Sequence, residues 1–190
     1  MTHSLLLERY LPLLNKANEQ FPVLDLACGS GRNGLYLIKN SIQTVFSDIR
    51  EDALISVKNN FVGEDIKRKN HLAQFWQIDF EQPNHHVLSN EKYTGVLVFN
   101  YLHRPLMPQI KNTVIPGGVI FYETFTTQQC QYGRPSNPDF LLKPEELLEH
   151  FSGWKIHHYF EGVVNDRNSQ SKKAIAQLVA EKPDDEVELK

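Results

Sequence analysis

The sequence predicts an α/β fold, in which helices cover both faces of a mostly parallel, seven-stranded sheet whose last strand is antiparallel. Short apolar runs alternate with helical patterns from residue 21 onward, which is the arrangement that βαβ crossovers produce. The run at 94–99 is almost entirely apolar, as expected for a parallel strand that is covered on both faces. Only the loop 162–172 separates the last two strand patterns, and no helix fits in it, so that pair is predicted to be antiparallel.

Each element follows from its hydrophobic pattern, and together they predict a Rossmann-like three-layer sandwich. The first helix has Leu5, Leu6 and Leu7 on its apolar face, and the helix near the end begins at Pro144. Helical patterns between them lie at 31–40, 51–61 and 105–113, and the last helix runs over 144–151. Strand patterns lie at 21–26, 43–47, 72–78, 94–99, 119–125, 154–161 and 173–181.

Length, charge and cysteine content limit the class of protein. The 190 residues predict a single domain over residues 1–182, followed by a charged, loose tail at 183–190. The net charge of -3 argues against general nucleic-acid binding, which needs a basic excess. Two cysteines make no disulfide framework, no apolar run approaches the roughly 18 residues of a membrane span, and the first residues lack a signal peptide's basic flank. A cytoplasmic protein with no membrane partner is therefore expected.

The most informative stretch begins at Asp25 and reads DLACGSGRNG. It follows the first strand pattern and opens the next helical pattern. Gly29 and Gly31 allow the backbone to turn sharply and to approach a ligand without an intervening side chain. Together with Gly34 they also fit the dinucleotide fingerprint, so the glycines alone do not distinguish between cofactors.

The charge of Asp25 favours one class of cofactor over another. In a nicotinamide or flavin site the glycine loop faces a pyrophosphate, which a carboxylate at the strand end would repel. In an S-adenosylmethionine site the same place faces an ammonium and a sulfonium, which a carboxylate attracts. The structural alternative is that Asp25 serves only as a helix cap.

This stretch resembles the first motif of the class I S-adenosylmethionine-dependent methyltransferases, in which an acidic residue is followed by three alternating glycines. Asp25, Gly29 and Gly31 match that pattern, and Ala27 stands at the position of the first glycine, where a small residue should still fit. The resemblance covers about residues 21–180 and includes the antiparallel final pair.

The residues that follow the glycines narrow the resemblance to a group. Arg32 and Asn33, with their leucine-rich continuation, are most similar to the tellurite-resistance and thiopurine type of small-molecule methyltransferase. The resemblance implies that residues 1–20 form a helical cover over the cofactor side. It also implies that the motif contacts S-adenosylmethionine through Asp25, Ala27, Gly29, Gly31, Arg32 and Asn33.

Two further strand ends carry cofactor candidates. The resemblance implies that Asp48, after the second strand, accepts hydrogen bonds from both ribose hydroxyls, and that Ile49 packs on the adenine. Asp79, after the third strand, fits the position that binds the adenine amino group, with Phe80 beside the ring. The alternatives are a cap of the next helix for Asp48 and an ordinary loop aspartate for Asp79.

The ends of the fourth and fifth strands carry the candidates for methyl transfer. Open α/β sheets bind ligands at the carboxyl ends of their strands, which places Asn100, Tyr101 and His103 near the transferable methyl. His103 is either a general base or a structural histidine. Asn100 is predicted to serve both cofactor and catalysis, Glu123 is the third catalytic candidate, and Tyr101 is assigned to the substrate. The Pro-Pro sequence that amino-methylating enzymes carry after this asparagine is missing.

The long connection at 126–143 is predicted to close over the acceptor, because unstructured connections of this length are often lids or binding loops. Tyr132 and Arg134 are its candidate substrate-binding residues. We assign no metal, since His85-His86 and His157-His158 lack partners at metal-ligand spacing.

The predicted function is transfer of a methyl group from S-adenosylmethionine to an O, N or S nucleophile, with a small molecule as the acceptor. The alternatives are a methyltransferase that acts on RNA or protein, a nicotinamide-dependent reductase, and a non-catalytic S-adenosylmethionine-binding regulator. Asp25 and the lack of a substrate domain oppose the reductase.

Overall fold

The structure is a computed structural model that describes residues 2–16, 20–61, 66, 68–82, 87–166 and 171–184. The histidine pair 85–86, the middle of the loop 162–172 and the tail beyond residue 184 lie outside these ranges. Within them, no helix is both long enough and apolar enough to span a membrane.

The described residues form seven strands and the five helices given below, with short 3-10 turns between them. The strands are β1 (Val23–Leu26), β2 (Thr44–Asp48), β3 (Ala73–Gln77), β4 (Tyr93–Phe99), β5 (Val114–Phe125), β6 (Lys155–Asn165) and β7 (Lys172–Glu181). The described helices are α1 (Leu5–Lys16), α2 (Arg32–Lys39), α3 (Glu51–Asn59), α4 (Met107–Thr113) and α5 (Glu146–His150). Each strand pattern that the sequence predicts is therefore a strand of the structure.

The strands form one sheet in the order β3-β2-β1-β4-β5-β7-β6. β1 pairs in parallel with β2 and with β4, and β4 pairs in parallel with β5. β7 is antiparallel to both β5 and β6. These pairings confirm the predicted sheet, and the reversal of strand order at β1 and β4 creates a crevice at their carboxyl ends, where such sheets bind ligands.

The core lies on both faces of the sheet, which explains why the central strands are apolar throughout. On one face, α1 places leucines against the middle strands, including Leu7 and Leu14 against Leu97 and Phe121. On the other face, residues of α4 and α5 pack in one cluster with Val96 of β4. Val96 is fully buried there. A strand that is covered on both faces needs no polar alternation, so the pattern at 94–99 is explained.

Several boundaries differ from the sequence prediction. β5 begins at Val114, five residues before the predicted start at residue 119, and α4 begins at Met107, after a 3-10 turn over Arg104–Leu106. The last helix begins at Glu146, not at Pro144, because Glu145 has a left-handed backbone (φ 60°) that interrupts the helical path. β6 continues to Asn165 through a region that the sequence predicts as loop. The alternation there is weak because β6 is the edge strand and is only partly buried.

Gly95 is predicted to be required for the packing of α1 on β4. A methyl group at this position would lie 2.5 Å from Leu14 Cδ2 and 3.2 Å from the Val119 carbonyl oxygen. Gly95→Ala should therefore lower the free energy of unfolding by about 1–3 kcal/mol, the usual cost of overpacking. In chemical denaturation, combining it with Leu14→Ala should cost less than the sum of the two single changes, and strict additivity would contradict this packing.

Candidate active site at the carboxyl ends of the strands

The glycine loop connects β1 to α2 at the crevice. The Gly31 N–H donates to the Cys28 carbonyl at 2.9 Å, and the Cys28 N–H donates to the Ser47 carbonyl at 2.8 Å, which ties the turn to β2. Gly29 (φ 55°) and Gly31 (φ 66°) both have left-handed backbones. Glycine adopts this conformation without the steric cost that other residues have.

Asp25 is buried beneath the loop and holds the start of α2. Its Oδ2 accepts a hydrogen bond from the Gly34 N–H at 2.9 Å, and the residue is only 3% exposed. Burial raises the pKa of this carboxyl to about 7, against a smaller lowering by the Gly34 amide and by Arg32. Asp25 therefore does cap the start of α2, the role that the sequence analysis gave as its structural alternative. This role uses one of the two carboxylate oxygens.

Asp48 holds the middle of the same loop from β2. Its Oδ2 accepts from the Gly29 N–H at 2.8 Å, and its Oδ1 accepts from the Arg50 N–H at 2.9 Å. The side chain is buried, although it lies at the end of its strand. Because a carboxylate offers about four acceptor positions, each oxygen retains capacity for another donor.

Ala27 is the one residue of the loop that departs from the family's glycine pattern, and its backbone is left-handed (φ 50°). An L-residue in this conformation costs roughly 1–2 kcal/mol. The position therefore has the backbone that glycine favours, although its occupant is alanine.

The glycines differ in what surrounds them. A Cβ added to Gly31 would lie 2.5 Å from Val57 Cγ2, and one added to Gly34 would lie 2.3 Å from Phe46 Cε1. A Cβ added to Gly29 would meet nothing within 4 Å. Gly29 therefore faces open space, whereas Gly31 and Gly34 are fixed by packing within the protein.

The adenine-side candidates have different surroundings. Ile49 is 56% exposed, an apolar side chain on the surface directly after Asp48. Asp79 is half-buried, and its Oδ1 accepts from the Glu81 N–H at 2.9 Å. Phe80 is buried in the core, where its ring contacts Trp76 edge-on with centroids 5.9 Å apart.

Arg32 and Asn33 contact the N-terminal segment. Arg32 Nη1 donates to the Thr2 carbonyl at 3.1 Å, and the Ser4 N–H donates to Asn33 Oδ1 at 2.9 Å. These bonds hold the start of the chain against the first turn of α2. The two side chains therefore join the glycine loop to the segment that leads into α1.

The end of β4 carries the next candidates. Asn100 is exposed and has a left-handed backbone (φ 55°), and its N–H donates to the Glu123 carbonyl at 2.8 Å. His103 is half-buried. The carbonyl of Tyr101 accepts from the Tyr122 hydroxyl, whereas its own hydroxyl is buried without a hydrogen-bond partner among the described residues.

Glu123 belongs to a polar network on the α1 face of the sheet. Gln177 Nε2 donates to its Oε2 at 2.6 Å, and Lys173 Nζ lies 3.6 Å from its Oε1. His158 Nε2 lies 3.2 Å from Gln177 Oε1, which extends the network to β6. Glu123 is 6% exposed, so its carboxylate depends on these partners.

A cavity of about 210 Å³ opens beside Glu123, between the N-terminal segment and the hairpin of β6 and β7. Arg32 forms one wall, next to the glycine loop, and Lys173 and Gln177 form another. The described residues that line it are Thr2, His3, Ser4, Leu5, Leu6, Arg32, Glu123, Val164, Asn165, Asp166, Lys173, Ile175 and Gln177.

Tyr132 and Arg134 lie on the outer part of the long connection. Tyr132 is 37% exposed and Arg134 is exposed. Gln129 anchors this part, because its Nε2 donates to the Arg134 carbonyl and its own carbonyl accepts from the Tyr132 N–H. Neither residue is among the described residues that line the cavity beside Glu123.

Sequence reasoning missed Lys173, Gln177 and Glu146. Gln177 had a signal, since it is a polar residue in the middle of an otherwise apolar strand. Lys173 and Glu146 had none, because only the tertiary structure places them against Glu123 and Arg104.

Asp25→Asn is predicted to change how stability depends on pH. The folded-state pKa of Asp25, about 7, lies above its ordinary value of 3.8. Its contribution to stability is therefore fully present below pH 3.8 and is lost as the pH rises through about 7. Asparagine cannot ionise and keeps an acceptor for the Gly34 amide.

The variant should therefore gain stability over the wild type between pH 4 and pH 8, on the order of 2–4 kcal/mol. Urea unfolding at a series of pH values measures this difference. A difference that does not change with pH would show that Asp25 does not titrate in this range.

Similarity to known proteins agrees with the motif. The family described as "Tellurite resistance protein TehB" matches residues 15–176. A protein from Haemophilus influenzae named "Probable S-adenosyl-L-methionine-dependent methyltransferase TehB" is 24% identical over 171 residues, in two strains. The match covers 84% of this chain and 57% of the relative, so the chain spans just over half the length of the curated relatives it matches.

Solved structures show the same fold. The crystal structure of TehB from Haemophilus influenzae matches with a TM-score of 0.73 at 20% identity, over 95% of this chain and 62% of that one. The glycopeptide N-methyltransferase MtfA, in complex with S-adenosyl-L-methionine, matches with a TM-score of 0.59 at 13% identity, over 93% and 86%. With the family match over most of its length, the chain belongs to the TehB family, which confirms the resemblance to the tellurite-resistance group.

Proposed function

We propose that this protein binds S-adenosylmethionine over the glycine loop and transfers its methyl group to a small molecule in the cytoplasm. The observation that carries the proposal is the loop itself. Asp48 holds the Gly29 amide, Asp25 holds the Gly34 amide, and the outer side of Gly29 faces open space. The family and its curated relatives support the choice of cofactor.

The residues of the loop fit the cofactor's methionine end. A ligand can approach the Gly29 backbone directly, because among the described residues, its two chain neighbours aside, no atom lies within 4 Å of the position of an added Cβ. Asp25 supplies a buried carboxyl beneath this place, and a positive ligand nearby favours its ionised form. A pyrophosphate would have the opposite effect, which argues against the nicotinamide alternative.

Asp48 and Ile49 fit the nucleoside part. Each oxygen of Asp48 accepts one backbone N–H, which leaves acceptor positions for two hydroxyl groups. Ile49 exposes an apolar side chain next to it, on which an adenine ring can pack. Asp79 lies after the neighbouring strand, and we assign it to the adenine amino group. Phe80 supports this side from within the core.

When bound, the cofactor supplies an electrophilic methyl group. The protein's part in such a displacement is chiefly to hold the acceptor in line with it, and orientation of this kind can contribute about 7–11 kcal/mol. We assign this part to Asn100, Tyr101 and His103 at the end of β4, with Tyr132 and Arg134 on the acceptor's outer side. The left-handed backbone of Asn100 supports a functional role, since strained positions cluster at active sites.

The cavity beside Glu123 supports a small acceptor. Its volume of about 210 Å³ is below the roughly 300 Å³ at which sites for drug-sized ligands begin. Glu123 can accept a proton or a hydrogen bond from the acceptor, because Gln177 holds one of its oxygens and leaves the other toward Lys173. The family's name makes tellurite one acceptor to test.

Gly29→Ala is predicted to weaken S-adenosylmethionine binding by tenfold or more, because the new methyl group would occupy the space that faces the ligand. Gly153→Ala is the matched control. Gly153 also has a left-handed backbone (φ 83°) and nothing within 4 Å of an added Cβ, but it lies in the turn before β6. Both variants should lose about 1–2 kcal/mol of stability, and calorimetry should find weaker binding only for Gly29→Ala. Equal affinities would remove the loop from the cofactor site.

Methyl-labelled S-adenosylmethionine is predicted to label a small-molecule acceptor. The purified protein is incubated with tellurite, with a metabolite extract, and separately with RNA and with protein. Glu123→Gln should lower turnover by about 10²-fold with the cofactor affinity unchanged, as expected when a proton acceptor is removed. Glu149→Gln, an exposed glutamate on α5, is the control. Label that appears only in RNA or in protein would overturn the small-molecule assignment.

A further inference from the structure

Arg104 links the end of β4 to the long connection through an extensive set of hydrogen bonds. Its Nε donates to Glu146 Oε1 at 2.6 Å, and its Nη2 donates to Glu146 Oε2 at 2.9 Å. Its Nη1 donates to the Asp139 carbonyl at 2.9 Å, and Nη2 also donates to the Leu141 carbonyl at 2.8 Å. One guanidinium therefore fixes three points of the segment 139–146.

Glu146 completes this arrangement from the first turn of α5. Its Oε2 also accepts from the Lys143 N–H at 2.8 Å, and His150 Nε2 lies 3.5 Å from its Oε1. Its side chain is 9% exposed and that of Arg104 is 33% exposed, so the pair is shielded from water on the glutamate's side. The hydrogen bonds from Arg104 hold the pKa of Glu146 below its ordinary value although burial acts against them, so the pair stays ionised at neutral pH.

The segment between the anchored ends is exposed. Gln129 is buried and ties the start of the connection to β7, since its Oε1 accepts from the Ala174 N–H at 2.8 Å. Arg104 and Glu146 fix the other end. Residues 130–134 and 136–140 between them are exposed. Leu142 adds a backbone anchor at this end, since its N–H donates to the Phe125 carbonyl and its carbonyl accepts from the Thr127 N–H, both at 2.9 Å. The exposed part, which carries Tyr132 and Arg134, therefore lies between two anchored ends, one of which depends on Arg104.

We propose that Arg104 is a positioning residue for the acceptor: through Glu146 and the carbonyls of Asp139 and Leu141 it sets the exposed segment against the end of β4. Arg104 follows His103 directly in the chain, so one short stretch both carries a methyl-transfer candidate and anchors the connection. The inference rests on the proposed function for its effect on the acceptor, whereas the anchoring is a property of the fold. A lysine cannot replace the arginine, because it lacks the planar fork that binds a carboxylate with two hydrogen bonds.

The first arm of the test measures anchoring without any acceptor. Arg104→Lys and Glu146→Gln are compared with the wild type by amide hydrogen exchange, with Arg9→Lys, an exposed arginine on α1, as the control. Exchange within residues 126–146 should accelerate by about tenfold or more, as the loss of hydrogen bonds to charged groups implies, while the amides of β4 and β5 keep their rates. The double variant should exchange no faster than Arg104→Lys alone. Unchanged exchange in 126–146, or equal acceleration throughout the sheet, would overturn the proposal.

The second arm measures ligands. Calorimetry should find the affinity for S-adenosylmethionine within twofold of the wild type in both variants, and the KM for tellurite, or for the acceptor found in the labelled extract, should rise at least tenfold, with a smaller change in kcat. Weaker cofactor binding with an unchanged acceptor KM would overturn the positioning role. If no acceptor is labelled, the proposed function fails, and the exchange arm still decides whether Arg104 anchors the connection.

Discussion

Two carboxylates beneath the glycine loop organise the rest of the site. Asp25 at β1 accepts a hydrogen bond from the Gly34 N–H, in the helix that the loop opens. Asp48 at β2 accepts one from the Gly29 N–H, in the loop itself. Backbone donors at the start of a helix have no partner within the helix, so a buried start needs acceptors from elsewhere. Here the strands supply them, and the loop's shape is set by the sheet.

The same arrangement explains which substitutions the loop tolerates. A side chain at Gly31 would clash with Val57, and one at Gly34 would clash with Phe46. A side chain at Gly29 would meet no such contact, but it would strain the left-handed backbone and fill the open space beside it. Ala27 stands at the position of the family's first glycine and keeps a left-handed backbone. The replacement therefore costs free energy through backbone strain. The loop thus depends on three separate constraints, of which only the open side of Gly29 concerns the proposed cofactor.

The cavity that we propose for the acceptor is built differently, from parts that are distant in the chain. β5 supplies Glu123, β7 supplies Lys173 and Gln177, and the start of the chain and Arg32 close the cavity on the side of the loop. A buried carboxylate needs partners, and here the antiparallel strand supplies them. This gives β7 a role beyond completing the sheet.

The sequence by itself determined the seven strands and the class of fold, because apolar strand runs alternate with helical patterns and only a short loop precedes β7. It also placed Asp25, Asp48 and the glycines at the carboxyl ends of the first two strands, since that placement depends only on the local pattern. It did not determine the strand order, the partners of Glu123, or the pairing of Arg104 with Glu146, because these residues meet only once the sheet is assembled. Hydrophobic periodicity records which face of an element is buried, but not which distant side chain lies against it, and that was decided by the tertiary structure alone.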